Sequence, residues 1–387
     1  MHLRTGLLRL LLVCLFLFGF LVGLEMMGLS FKLFGKGLAE RLMSSTANPF
    51  VGLFIGVLAT SLVQSSSTTT SMTVGLVAGG ALTIEGAIPI VMGANIGTSV
   101  TNTLVSLAHI TRREEFRRAF AGATLHDFFN WLTVLVLLPV EIATGYLSRT
   151  AGWLTARLEG VGGIDLFNPV KAVVAPVAAW ASAGLGGSPW GTLLVGVGLT
   201  FVAIKFLVDL LKAIFSSRAE QVLHRTLFRS TLAAIAAGAA ITVMVQSSSI
   251  TTSAVIPLVG AGVVTLEQLF PFTVGANLGT TVTALLAALV SGSPAAVAVA
   301  ISHLLFNLNG TALVYCLPPV RRIPLALARW LGDVGFRNRP AALGYVLAAF
   351  YGLPLALLLI TGALDREPPS PPAAAAPADP SPAAENP

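Results

Sequence analysis

The eight-residue tract QSSSTTTS at Gln64–Ser71 returns as QSSSITTS at Gln246–Ser253. Aligned without a gap at an offset of 182, Gln64 to Leu104 and Gln246 to Leu286 are identical at 21 of 41 positions. After a five-residue slip the match resumes, with HDFFN at His126–Asn130 opposite HLLFN at His303–Asn307. Self-similarity of this extent means two copies of one structural unit, and any fold for this chain has to hold both.

What surrounds the copies fixes the solvent. Of 387 residues, 55% are hydrophobic and 10% charged, and apolar stretches of about 20 residues recur, the length that crosses a bilayer as a helix. The expected class is an all-α polytopic protein, multi-pass in the cell inner (plasma) membrane, because backbone groups in lipid must be paired within their own segment. Full spans are predicted at 7–29, 84–108, 119–145, 188–213, 268–290, 295–318 and 341–363. Residues 49–82 and 231–264 do not fit that count. Each has a short apolar run, the polar tract, then a shorter apolar piece, and neither half is long enough for a hydrocarbon core of about 30 Å at about 1.5 Å per residue. Each therefore reads as a re-entrant helical hairpin with its polar tip near mid-membrane, in a fold of two inverted repeats with broken transmembrane helices. The inversion follows from the three full spans between the tracts, an odd number.

The domain reading is an N-terminal anchor helix and linker (1–46), repeat 1 (47–145), an outer inter-repeat loop and connecting span (146–229), repeat 2 (230–320), a basic loop and C-terminal span (321–364), and a disordered Pro/Ala-rich tail (365–387). Arg4 and Arg9 precede an apolar run with no small-residue cleavage site, which favours a retained anchor over a signal peptide. The net charge of +6 lies in short loops, so it reports topology and excludes a nucleic-acid face. Arg112, Arg113, Arg117 and Arg118 follow a span of repeat 1, whereas the matching SGSP loop at Ser291–Pro294 is uncharged; Lys212, Arg218, Arg225, Arg229, Arg321, Arg322, Arg329, Arg337 and Arg339 mark further cytoplasmic loops. Lys32, Lys36 and Arg41 fall on the predicted outer side, against this scheme. Cys14 and Cys316 sit in apolar segments without disulfide or metal-ligand spacing.

The polar residues inside the apolar spans carry the chemistry. Single Ser or Thr residues in membrane helices bond back to their own carbonyls, but eight consecutive polar residues exceed that explanation. Ser65, Ser66 and Ser67, with Ser247, Ser248 and Ser249, can donate hydroxyl protons to an anion, and Gln64 and Gln246 add an amide at each tip. The second duplicated element is GANIGTSVT at Gly93–Thr101, opposite GANLGTTVT at Gly275–Thr283. Its glycines predict an unwound turn with freed carbonyls, where Asn95, Asn277, Thr98 and Thr280 add oxygens suited to a hard cation such as Na⁺; the alternative is close helix packing by small residues. Asp127 stands where repeat 2 has Leu304, which points to a cation site in one repeat only. His126, His303, Asn130 and Asn307 read equally well as helix–helix hydrogen bonds. Glu85 and Glu267, two residues after a Thr, read as first-turn acids of capped helices. No Arg or Lys lies in either hairpin or GAN segment, so co-bound cations would have to neutralise an anion, which couples the two.

Together the QSSS tracts, GANIGTSVTNTLVSL, EFRRAFAGATLHDFFNWLTVLVLLP and HLLFN closely resemble the type II sodium-dependent phosphate cotransporter family, over roughly residues 50–145 and 230–360. The resemblance implies Na⁺-coupled symport of inorganic phosphate, preferably divalent, by alternating access, with Na⁺ as the co-transported ion, the lipid bilayer as surroundings and a homodimer as the common assembly. It places phosphate at Gln64–Ser67 and Gln246–Ser249. It implies shared sodium ligands at Gln64, Asn95, Ser249 and Thr252 or Thr280, with Thr68, Thr98 and Asn277 as further oxygens. Asp127 matches the aspartate associated there with an extra sodium and electrogenic transport. Residues 146–187 lack the cysteines and glycosylation sites of the long outer loop in animal members, and no PhoU-like domain follows the membrane part. The competing readings are a Na⁺-linked carrier of another oxyanion or a phosphate exporter, then a passive anion channel. An intramembrane serine hydrolase using His126 and Asp127 lacks a nucleophile elbow.

Overall fold

The computed structural model describes residues 2–34, 46–160, 168–200, 202, 203, 206 and 230–361. Those residues are helical, without strands. Lys36, Arg41, Lys212, Arg218, Arg225, Arg229, most of the second half of the 188–213 span and the Pro/Ala-rich tail lie outside them, as does the side chain of Lys32.

Helix starts follow local chemistry. In repeat 1, Asn48 accepts from the Phe50 amide and Pro49 opens α2, the second helix after α1 (His2–Phe34). A proline costs nothing at a helix start, where its missing N–H has no acceptor. The chain then forms α2 (Pro49–Val63), α3 (Ser66–Ala78), α4 (Ile84–Gly97) and α5 (Val100–Leu107). Thr83 caps α4 by accepting from the Gly86 amide, with Glu85 in the first turn; Thr265 and Gln268 form a capping box ahead of α13, with Glu267 in its first turn. Both acids are thus first-turn acids, as the sequence suggests.

The long α6 (Arg113–Thr144) leads through Gly145 into α7 (Tyr146–Gly160), then α8 (Asn168–Gly184) and α9 (Pro189–Thr200). The stretch expected as an outer loop is therefore largely helical, and α7 packs along α14. Repeat 2 comprises α10 (Thr231–Val245), α11 (Ser248–Ser253), α12 (Ile256–Gly260), α13 (Leu266–Ser291) and α14 (Pro294–Gly310), which widens into a π-helical turn at Thr311–Tyr315. The C-terminal region is α15 (Pro318–Arg337), α16 (Arg339–Leu347), a π-helical turn at Ala348–Gly352 and α17 (Leu353–Ile360). The YGLP stretch at Tyr351–Pro354 begins in that π turn, and the helix runs on through it. Among the described residues, Leu11–Ser30, Arg113–Thr144, Leu266–Ser291, Pro294–Tyr315 and Arg339–Ile360 are long and apolar enough to cross a membrane.

At the GAN glycines themselves the expected unwound turn does not form, although in repeat 1 the helix breaks four residues on from Ala94, at Thr98–Ser99 inside the same element. Gly93 to Gly97 lie in α4, and Gly275 to Gly279 lie in the unbroken α13. The glycines serve close packing instead. A Cβ on Gly93 would stand 1.9 Å from the Leu53 carbonyl oxygen, and one on Gly275 would stand 2.0 Å from that of Ile235. The partner helices reciprocate: a Cβ on Gly56 would meet the Ile90 oxygen at 2.0 Å, and one on Gly238 the Phe272 oxygen at 2.1 Å. Backbones this close let α2 pack on α4 and α10 on α13 without intervening side chains, the contact that association in lipid favours. The chain break in this region lies later and only in repeat 1, at Thr98–Ser99, where the predicted 84–108 span divides into α4 and α5.

Candidate functional site

Both QSSS tracts fold alike. α2 ends on Gln64 (φ 56°, ψ 29°) and α10 ends on Gln246 (φ 55°, ψ 26°). Among the described residues these are the only non-glycine positions with positive φ. Left-handed backbone costs a side-chain-bearing residue on the order of 1–3 kcal/mol, a strain that gathers at functional sites. The next serine caps the following helix: Ser65 Oγ accepts from the Thr68 amide (3.2 Å) and Ser247 Oγ accepts from the Ile250 amide (3.3 Å). Each tip is thus a helix end, one left-handed residue and a serine-capped helix start.

The two tips meet. Ser67 Oγ donates to the Gln246 carbonyl oxygen (3.3 Å), and Ser249 Oγ donates to the Thr98 carbonyl at the repeat 1 break (3.4 Å). Thr252 Oγ1 reaches Asn102 Oδ1 at 2.9 Å. Gln246 is tied down, since its Nε2 donates to Val243 O (2.6 Å) and its Oε1 accepts from Thr283 (2.7 Å). The Gln64 side chain is exposed and has no hydrogen-bond partner among the described residues. Ser66 and Ser248 are buried beside the caps. Several predicted sodium oxygens are back-bonded: Thr68 donates to Ser65 Oγ (2.8 Å), Thr98 to Ala94 O (2.9 Å), Thr252 also to Ser248 O (2.8 Å) and Thr280 to Ala276 O (3.1 Å). A hydroxyl donating its proton this way still presents lone pairs to a cation.

Behind the tips the two copies are cross-bonded through their motifs. His126 Nε2 of repeat 1 meets Asn277 Oδ1 of repeat 2 at 2.6 Å, and His303 Nε2 of repeat 2 meets Asn95 Oδ1 of repeat 1 at 3.4 Å. Asn130 donates to Asn95 O (2.6 Å) and Asn307 to Asn277 O (3.4 Å), and Asn277 Nδ2 donates to Asn130 Oδ1 (2.8 Å). All six side chains are buried. The His and Asn residues are therefore helix–helix hydrogen bonds, and the amide oxygens of Asn95 and Asn277 are engaged by histidines.

Asp127 is fully buried apart from this network. Tyr345 on α16 donates its hydroxyl to Asp127 Oδ2 (3.0 Å), and Ser99, at the repeat 1 break, lies beside the carboxyl. Ser99 gives its own proton to Ile96 O (2.8 Å), and Asp127 Oδ1 accepts no hydrogen bond. Sequence reasoning missed Ser99, Asn102, Thr283 and Tyr345. Ser99 and Thr283 lie inside the duplicated block and could have been flagged there. Asn102 faces Ala284 in the alignment and Tyr345 belongs to neither copy, so no repeat signal marks them.

Comparison with known proteins bears on this arrangement. A family profile described as Na+/Pi-cotransporter matches residues 19–141 and 199–317. The chain is 34% identical to sodium-dependent phosphate transport protein 2B of Homo sapiens, over 90% of this chain and 65% of that one. It is 36% identical to protein 2A of Rattus norvegicus and 37% identical to protein 2A of Mus musculus, each over 90% of this chain and 67% of the relative. The chain thus spans about two thirds of the length of these relatives. No solved structure matches it. With the profile matching segments that hold both copies and identity of 34–37% over 90% of the chain, the chain belongs to the Na+/Pi-cotransporter family.

Proposed function

We propose that this protein is a Na⁺-coupled phosphate symporter of the plasma membrane that binds phosphate between the two QSSS tips. The observation that carries the reading is the Ser67–Gln246 contact, which sets two serine-capped tips with left-handed glutamines against each other. In this proposal Ser65, Ser66, Ser67, Ser247, Ser248 and Ser249 donate to phosphate oxygens, with the free Gln64 amide closing one side and Gln246 acting through a tied side chain. A caged anion without a basic partner is costly in low dielectric, so sodium supplies the compensating charge. Gln64, Thr68, Thr98, Ser249, Thr252 and Thr280 are the proposed oxygen ligands. Asn95 and Asn277 would enter a sodium shell only by releasing their histidines, and we assign them to the frame.

Asp127, with an unfilled acceptor and Ser99 beside it, is the proposed ligand of an additional sodium, which makes transport electrogenic. Divalent phosphate is the preferred form, since more negative charge is better matched by several sodium ions. The copies act as inverted repeats with re-entrant tips, and access alternates by one repeat moving against the other as an elevator or rocking bundle. A homodimer is the proposed assembly.

The test is sodium-gradient-driven uptake of ³²P-phosphate into proteoliposomes. Uptake above the potassium control is expected, and Ser65→Ala or Ser247→Ala should each lower it by about tenfold, as for a lost hydrogen bond to a charged group. Equal uptake in sodium and potassium at every pH tested would end the proposal. Competition by sulfate or carboxylates at equal concentration would redirect it to another oxyanion.

A further inference from the structure

Away from the tips, two sets of arginines share one end of the molecule. Arg117 on α6 bonds Asp333 on α15 (3.3 Å) and Glu114 (3.2 Å), and Arg339 donates to Thr111 O (3.4 Å). These contacts join the two segments richest in arginine among the described residues, the start of α6 and α15, and by the positive-inside rule that end is cytoplasmic. Arg117 and Arg118 are answered, the latter by Gly260 O (2.8 Å). Arg321 and Arg322 are not: among the described residues neither meets a carboxylate, and Arg321 lies only over the Tyr315 ring, 5.4 Å from its centre.

Both line a cavity of about 410 Å³ with Arg329, Glu267, Tyr315 and Thr231. Arg329 is bonded to Glu267, so three arginines against one glutamate leave two positive charges in the cavity. Thr231 begins the 15-residue α10, where Ser230 caps only the Ala233 amide. The amides of Thr231 and Leu232 have no intrahelical acceptor and add positive potential at the same place. The outer side of α15 meanwhile exposes Ile323, Leu327 and Trp330. At spacings of four and three they form one stripe, the pattern of a helix lying in a membrane interface. Leu232 and Leu317 are exposed near the same cavity.

We propose that this cavity binds the phosphate of an anionic phospholipid headgroup, held by Arg321, Arg322 and the start of α10, with the acyl chains along the exposed apolar surface. A basic recess between helices at the cytoplasmic end is the geometry that recognises such headgroups, and arginine forks suit phosphate oxygens. Free inorganic phosphate has the same chemistry, but it gains nothing from the apolar stripe. The site is separate from the transport tips and does not depend on the proposed cargo.

The test is native mass spectrometry of the full chain titrated with phosphatidylglycerol or phosphatidylcholine. The wild type should prefer phosphatidylglycerol by about tenfold. Arg321→Gln with Arg322→Gln should remove that preference, and Arg321→Lys with Arg322→Lys should restore part of it, which a merely misfolded protein would not do. Equal retention by wild type and the glutamine variant would overturn the site. Displacement of the lipid by excess inorganic phosphate, with no preference between the two lipids, would assign the cavity to a free anion and overturn the lipid reading.

Discussion

The two QSSS tips begin alike and then diverge. After Gln64 the capped helix runs unbroken from Ser66 to Ala78; after Gln246 it stops at Ser253 and restarts at Ile256. Pro257 stands where repeat 1 has Gly75, and its ring crowds the carbonyl four residues earlier, at Ser253, where this helix stops. The GAN helices show the opposite pattern, broken at Thr98–Ser99 in repeat 1 and continuous in repeat 2. Side chains follow the backbones. Gln246 is held by Thr283 and Val243, while the Gln64 side chain has no hydrogen-bond partner among the described residues. Asp127 sits beside the repeat 1 break, and Leu304 occupies its place in repeat 2. One duplicated motif therefore gives two tips that touch through Ser67 and Gln246, and a buried carboxylate on one side only.

The largest test of this comparison concerns what the copies share. Gly93→Ala and Gly275→Ala should each cost about 3 kcal/mol or more, because the new methyl meets a backbone carbonyl that cannot swing aside. Both should lose the monodisperse peak in size-exclusion chromatography. Gly152→Ala and Gly344→Ala, where a Cβ meets nothing within 4 Å, should keep it. If only one of the two GAN variants fails, the copies are not equivalent in packing.

A smaller difference is expected in the His/Asn network. Asn277→Ala strands both His126 and Asn130 Oδ1, whereas Asn95→Ala loses only a 3.4 Å side-chain partner, His303, plus a bond to its own helix. At about 1–3 kcal/mol per stranded buried group, thermal unfolding in detergent should place Asn277→Ala clearly below Asn95→Ala. Equal melting would mean the shorter bond carries no extra weight.

The smallest effect on stability should come from the change that makes the copies alike, Asp127→Leu. It removes one neutral donor's acceptor, Tyr345, at a cost of about 1 kcal/mol. Its effect is electrical: charge moved per phosphate should fall by about one elementary charge while uptake persists, the difference of one co-transported cation. Unchanged current per phosphate in voltage-clamped recordings would remove Asp127 from the sodium path.

Much of this was legible in the chain itself. The repeat, the all-helical membrane class, the caps at Thr83 and Thr265, and the polar tips depend on local rules of periodicity, capping and composition, which act within a few residues and leave their mark in order along the sequence. The Thr83–Glu85 and Thr265–Glu267 spacings are examples, and both fold as read. The GAN glycines were misread as an unwound turn because a glycine in a span is equally compatible with a freed carbonyl and a tight helix contact. Only the positions of the Leu53 and Ile235 carbonyls distinguish them.

What the sequence determined by itself is that two copies of a polar-tipped unit must share one membrane-embedded core, since lipid leaves duplicated hydroxyl tracts nowhere else to be satisfied. What the tertiary structure decided is the pairing. Ser67 meets Gln246, His126 meets Asn277 across the copies, and Tyr345 meets Asp127 from a helix outside both. Those partners lie 151 to 218 residues apart, and such contacts depend on how whole helices dock, which no local pattern encodes.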